Sequence, residues 1–255
     1  MIINTEEDLF FIKQSSLLVG KTLGEISGHI RPGINLKSLD MIAEEYIRSH
    51  GGVPAFKGYR GYPATLCLSV NDVVVHGIPD NTILKEGDIV SVDCGVLFNG
   101  LYGDYAYTFS VGEISIEKKK LVQVTYESLQ QGILQAIAGN TTGDIGNAVQ
   151  SYVEHYGYSV VRELVGHGIG KVLHDKPEVP NYGKKKKGDR LFEGMVLCIE
   201  PMINMGRKEI YQEKDGWTIR TRDRKPSAHF EHMVIVREQK PEVLSTYEFI
   251  KTKMN

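Results

Sequence analysis

The chain has 255 residues, long enough for one large domain or two small ones, and its 41% apolar and 24% charged residues are ordinary for a globular protein. Thirty basic and 32 acidic side chains leave a formal charge of −2, which excludes nucleic-acid binding through bulk charge. No apolar run approaches the ~18 residues of a transmembrane helix, and the acidic start MIINTEEDLFF is not that of a signal peptide.

In chain order, Thr5-Glu6-Glu7-Asp8 reads as a capping box. Leu9, Ile12, Val19, Leu23, Ile26 and Ile30 then recur at helical spacing until Pro32-Gly33 stops the run. Ser38 opens a second helix carrying Leu39, Ile42, Ala43, Tyr46 and Ile47, which ends at Gly51-Gly52. A Gly- and Tyr-rich loop fills 55–65, and strand-like runs follow at 64–70, 88–97 and 105–111. Two more helices fit 117–138 and 142–156, and a strand-rich stretch fills 158–247. The order helices, strands, helices, strands is not a strict βαβ alternation and suits an α+β class in one domain spanning 1–255. The Lys184–Lys187 run reads first as a solvated loop.

Glycine is in surplus, at 27 residues, which points to tight turns or close backbone approach. Three scattered cysteines, Cys67, Cys94 and Cys198, exclude a disulfide framework or a CxxC zinc site and fit a reduced, cytoplasmic protein.

One internal similarity organises the chain. Residues 85–93, KEGDIVSVD, match 192–200, FEGMVLCIE: Glu-Gly, an apolar strand, then a carboxylate. If the halves are duplicates, Asp93 and Glu200 occupy equivalent points and meet at the centre.

A carboxylate at the end of an apolar strand must be paired or bind a metal, because burying it alone is expensive. A single such residue has an ordinary explanation in a salt bridge. Here Asp93, Asp104, Glu200 and Glu231 share that setting, and His167 is flanked by glycines in VGHGIG. Four carboxylates carry −4 with no fixed cations beside them in sequence; two divalent ions would carry +4. Oxygen-rich ligation with one imidazole suits Mn, Fe(II), Co or Zn rather than a thiolate zinc site. Two such ions can hold a hydroxide and polarise a carbonyl, which is hydrolase equipment.

At these residues the sequence resembles the type I methionine aminopeptidases. The matching stretches are GYPATLCLSVNDVVVHGIP (61–79), DIVSVDCG (88–95), GLYGD (100–104), GHGIG with His174 (166–174), EGMVLCIEPM (193–202) and GWTIRTRDRKPSAHFEHMVIV (216–236). The resemblance implies a pita-bread fold, a pseudo-two-fold repeat around a central dimetal site. It implies removal of the initiator methionine from nascent chains when the second residue is small. Asp93, Asp104, His167, Glu200 and Glu231 would hold two divalent ions (Co, Mn, Fe(II), Zn or Ni), with Asp104 and Glu231 bridging. Glu200 would shuttle the proton of the attacking water. His76 would contact the substrate and help protonate the departing amine. His174 would stabilise the tetrahedral intermediate. Tyr59, Tyr62, Cys67, Leu173 and Trp217 would line the methionine slot. The implied partner is a nascent polypeptide near the ribosome, with no DNA, no membrane and a monomeric enzyme; the charge of Lys184–Lys187 then offers a contact with ribosomal RNA.

Two departures stand out. Asp104 is followed by Tyr105-Ala106, where the family usually has Thr and a small residue, so a local packing change is expected there. Phe56 and Val75 stand where many members carry cysteine. His229 and His232 flank Glu231 and are candidates to support it. The alternatives are a Pro-directed peptidase on this fold, a non-catalytic binding protein and a metal-free hydrolase; the first usually carries a longer N-terminal domain, and the others lose ligands.

Overall fold

A computed structural model of the chain describes residues 1–3 and 5–250. Helices α1 (Glu6–Ser27) and α2 (Leu36–Ser49) lead into β1 (Val53–Pro54), β2 (Leu66–Val70) and β3 (Val73–Val75). A long hairpin follows, β4 (Ile89–Phe98) and β5 (Leu101–Ser110). Helices α3 (Ile116–Ile133) and α4 (Thr142–His155) then lead into β6 (Ser159–Val160), β7 (Gly166–Gly168) and β8 (Asp175–Val179). The remaining strands are β9 (Val196–Ile199), β10 (Met202–Asn204), β11 (Ile210–Gln212), β12 (Ile219–Thr221), β13 (Ser227–His229), β14 (His232–Ile235) and β15 (Glu242–Val243).

Local chemistry sets most helix ends. The Thr5 hydroxyl accepts from Asp8 N at 3.1 Å and opens α1. This helix stops at Ser27, short of the Pro32-Gly33 signal, because Gly28 N already closes onto Glu25 O and Ile26 O. Helix α2 is capped by Asn35, whose side chain accepts from Ser38 N at 2.8 Å; Ser38 is therefore inside the helix and not its cap. Helix α3 begins at the Ser115 cap and ends at Ile133, before the expected 138. Thr141 and Asp144 form a capping box on α4.

The sheets are antiparallel. One runs β1–β4–β2 with β5 on β4, and another runs β15–β14–β9–β7–β8. Strand β5 starts at Leu101, four residues earlier than its sequence pattern, because Asn99 and Gly100 make the turn with φ of +50° and +79°. Ser15 of α1 fastens that turn, its Oγ lying 3.1 Å from Phe98 O and 2.9 Å from Leu101 O.

The internal similarity has a structural counterpart. Gly87 and Gly194 precede β4 and β9 with φ of +87° and +82°, and each strand pairs with the next carboxylate-bearing one, β4 with β5 and β9 with β14. The halves join beside the carboxylates. Glu231 N donates to Ala106 O at 3.1 Å, and the Tyr247 hydroxyl lies 2.7 Å from both Ala106 O and Glu231 O. Tyr105, the departure after Asp104, is fully buried, donates to Thr246 O at 3.1 Å, and lies against Gly20, where any side chain would collide with its hydroxyl. Among the described residues no helix is long and apolar enough to cross a membrane.

Candidate active site

The seam between the halves opens into a cavity of about 480 Å³. All the candidate ligands and all but one of the candidate substrate residues line it: Asp93, Asp104, His167, Glu200 and Glu231 on the floor, with Tyr59, Tyr62, Cys67, His76, His174 and Trp217 around them. Leu173 does not line the cavity; it is 1% exposed and packs beneath with Ile169 and Val196.

Strand geometry explains the floor. Asp93 lies mid-β4, paired with Ala106 of β5 on one side and with Cys67 of β2 on the other. Asp104 projects from β5 two registers away. His167 pairs with Cys198, so His167, Cys198 and, one alternation on, Glu200 share a face. The close seam needs bare backbone: a Cβ on Gly166 would stand 2.3 Å from Cys198 O, and one on Gly168 2.2 Å from Lys176 O. Gly166 and Gly168 therefore admit neighbouring protein backbone, the close approach that the glycine surplus pointed to.

Donor atoms of Asp104, His167, Cys198 and Glu231 all lie within 4.8 Å of one another. His167 Nε2 is 3.9 Å from Asp104 Oδ2 and 3.5 Å from Glu200 Oε1. Its Nδ1 lies 3.0 Å from Gly168 O, so Nδ1 carries the proton and the Nε2 lone pair faces the carboxylates. Burial pushes this ring down to about 4, so it stays neutral. Cys198 was not a sequence candidate; the spacing of β9 hid it, because it reads there as one more apolar strand residue. Its thiol donates to Asp104 O at 3.8 Å, and burial together with Glu231 and Asp104 raises it well above the ordinary thiol range.

The carboxylates are at odds with their surroundings. Asp104 and Glu231 are 3% and 2% exposed. Asp93 Oδ1, Asp104 Oδ1 and Glu231 Oε1 are buried with no hydrogen-bond partner. Burial first, then repulsion from one another, drives Asp104, Glu200 and Glu231 well above the carboxylate range, and burial lifts Asp93 to about 7. Orphaned oxygens, a neutral imidazole aimed at them and mutual repulsion together fit divalent cations, which satisfy all three.

The walls are settled. The Tyr62 hydroxyl reaches Leu66 O and Gly77 O at 2.9 and 3.0 Å, and its ring meets Trp217 edge-on at 5.1 Å. Asp215 holds the Trp217 loop through Trp217 N and Thr218 N, both at 2.9 Å. His76 has a φ of +58°, uncommon outside glycine, and its ring lies 6.3 Å from Trp217. His174 bridges floor and mouth, 4.3 Å from the His167 ring and 5.1 Å from the Tyr59 ring. Partial burial and the neighbours His167, Arg60 and His76 hold it below the usual histidine range. Phe56, one of the two departures from the family's cysteines, also lines the space, and so does Arg60, which no sequence pattern singled out. Behind Glu231, burial holds His229 and His232 down to about 3; His232 Nδ1 lies 2.5 Å from Ser245 Oγ, while His229 Nε2 has no partner.

The comparisons agree with this geometry. The model of metallopeptidase family M24 matches residues 11–238. The chain is 48% identical over 245 residues to the methionine aminopeptidase of Clostridium perfringens, covering 96% of this chain and 98% of that one. It is similar to the crystal structure of methionine aminopeptidase from Rickettsia prowazekii, with TM-score 0.94 and 44% identity over 96% of this chain and 100% of that one. A prolidase from Pyrococcus furiosus shares the fold alone, at TM-score 0.78 and 22% identity over 99% of this chain and 66% of that one. With its buried donor cluster at the seam of two halves, the chain belongs to metallopeptidase family M24, in the group of its methionine aminopeptidases.

Proposed function

We propose that the chain removes the N-terminal methionine from newly made polypeptides whose second residue is small, with two divalent cations held by Asp93, Asp104, His167, Glu200 and Glu231. The observation that carries this reading is a floor of orphaned carboxylate oxygens beneath an aromatic slot. As in the family the chain resembles, Asp93, Asp104, Glu231, His167 and Glu200 would all serve as ligands to the cations. Four carboxylates and two divalent ions balance in charge, and Co, Mn, Fe(II), Zn and Ni all suit the donor set. When bound, the cations supply Lewis-acid polarisation of the scissile carbonyl and ionisation of water near neutral pH.

The side chains do the rest. Tyr59, Tyr62, Cys67 and Trp217 offer the methionine thioether an aromatic and sulfur-lined wall. Burial and Asp93 keep the Cys67 thiol protonated, so that wall stays uncharged. His174, neutral, still donates one N–H, which suits the carbonyl oxygen as it gains charge. Glu200, on the floor beside His167, accepts the proton of the attacking water. His76 sits by Trp217, where it meets the departing amine. Tyr59, Arg60 and His174 crowd the mouth, which restricts the second residue.

The reading also supplies a monomeric cytoplasmic enzyme working near the ribosome. Lys184–Lys187 are exposed, and Lys186 N is tied to Asp144 Oδ1 at 3.1 Å. Contact of this loop with ribosomal RNA predicts weaker co-sedimentation with ribosomes after Lys→Glu changes; unchanged co-sedimentation contradicts it. The activity is tested with Met-Ala-Ser and Met-Leu-Ser. Release of methionine from the first and not the second is expected. Cleavage of Xaa-Pro peptides with Met-Ala-Ser left intact overturns the reading.

A further inference from the structure

Arg60 is an arginine that the fold takes trouble to place. Its φ is +49° and ψ 24°, a left-handed conformation that costs a branched or long side chain roughly 1 kcal/mol or more. Gly58 and Gly61 on either side have φ of +89° and +90°. The turn is closed by Gly58 N to Tyr62 O at 2.8 Å, Tyr59 N to Phe56 O at 2.9 Å and Tyr62 N to Tyr59 O at 2.9 Å. Tyr62 in turn is fixed by its hydroxyl, so the turn cannot drift from the cavity wall.

The side chain is aimed as well as the backbone. The guanidinium carbon lies 5.3 Å from the centre of the Tyr59 ring, and Tyr59 leans on His174. Arg60 lines the cavity and its charge is felt at His174. Among the described residues it forms no ion pair, which it shares with Arg31, Arg162, Arg190, Arg207 and Arg222, but of these six it alone lines the cavity. The other charged groups at the mouth lie on β8. Asp175 is engaged by the Met1 ammonium at 3.2 Å and by Lys176 N at 2.8 Å, and Lys176 and Glu178 stand beside it. Arg60 is thus a preorganised cation with five donors and no acceptor within the protein.

The proposed function fixes which part of a substrate would meet it. The amino terminus belongs at the carboxylate floor, the scissile carbonyl at His174, and the leaving peptide must pass outward over Tyr59. The residue after the small second one emerges at Arg60. We propose that Arg60 is a specificity determinant that binds a carboxylate on the leaving peptide, so that an acidic third residue is favoured over a basic one. This rests on the methionine-aminopeptidase reading and adds a preference at a position beyond it.

The test compares kcat/KM for Met-Ala-Asp-Ser-amide and Met-Ala-Lys-Ser-amide on metal-loaded protein. The expected ratio is roughly threefold to fivefold in favour of Asp, the size of a part-exposed charge pair, shrinking as salt is raised. Asn and Asp both tolerate the left-handed backbone, so Arg60→Asn and Arg60→Asp should fold. The ratio should approach one in R60N and fall below one in R60D. A parallel pair, Met-Ala-Ser as free acid and as amide, separates a side-chain carboxylate from a terminal one: an advantage for the acid that R60N removes shows that a terminal carboxylate is also bound, and no such advantage restricts the site to a side-chain carboxylate. Ratios near one for both pairs in the unaltered protein, or ratios that R60D leaves unmoved, overturn the proposal. No methionine release from any of the four peptides would instead overturn the function reading.

Discussion

The floor and the wall of the cavity obey opposite rules. Tyr62, Trp217 and Asp215 on the wall satisfy one another through hydrogen bonds and edge-on rings, and would hold their places with nothing bound. The floor leaves carboxylate oxygens of Asp93, Asp104 and Glu231 without partners and drives their protons on. A wall built for an uncharged side chain can be self-sufficient. A floor built for cations cannot, because whatever neutralises it must be able to arrive.

The sharpest way to break this contrast is Asp104→Asn. Loss of a bridging charge should weaken cation binding by more than about a hundredfold and abolish turnover, measured by metal analysis and by methionine release. At alkaline pH, where the unaltered carboxyl must ionise against Glu231 and Asp93, the same change should make the metal-free protein more stable than the unaltered one; a lower melting temperature there would show that Asp104 was not strained. Next in size is His174→Ala. Standing between floor and wall, it should keep the cations and lower kcat about a hundredfold or more. Release of metal would move His174 onto the floor and contradict its role.

The smallest effect is in stability against pH. The floor carboxylates have folded values raised above their unfolded ones, so their contribution is lost as pH rises toward those values. Buried His167, His229 and His232 have lowered values and act oppositely, but only below about pH 6.5, above which they are neutral in both states. Metal-free protein should therefore lose stability between about pH 6.5 and pH 8, and metal-saturated protein should not. Identical thermal profiles for the two forms would remove the floor from the contrast.

How far this was legible in the sequence follows the same division. Strand-end carboxylates and VGHGIG carry their chemistry in local pattern, and every candidate residue but Leu173 lines one cavity. The two-half plan was readable because 85–93 and 192–200 repeat a turn and a strand together. What escaped depends on tertiary neighbours. Helix α1 stops at Ser27 through backbone bonds no spacing rule encodes, and Asn35, not Ser38, caps α2 because the extended backbone turns into the helix at Asn35. Leu173 packs into the core with Ile169 and Val196 instead. Cys198 reaches the floor only through its pairing with His167, and Arg60 reaches the mouth only through a left-handed turn.

The most direct test of the central claim is methionine release from Met-Ala-Ser by protein stripped of metal and then titrated with Co(II) or Mn(II). The account predicts no release from the stripped protein and recovery that saturates near two ions per chain. Undiminished release in the presence of excess chelator would contradict it.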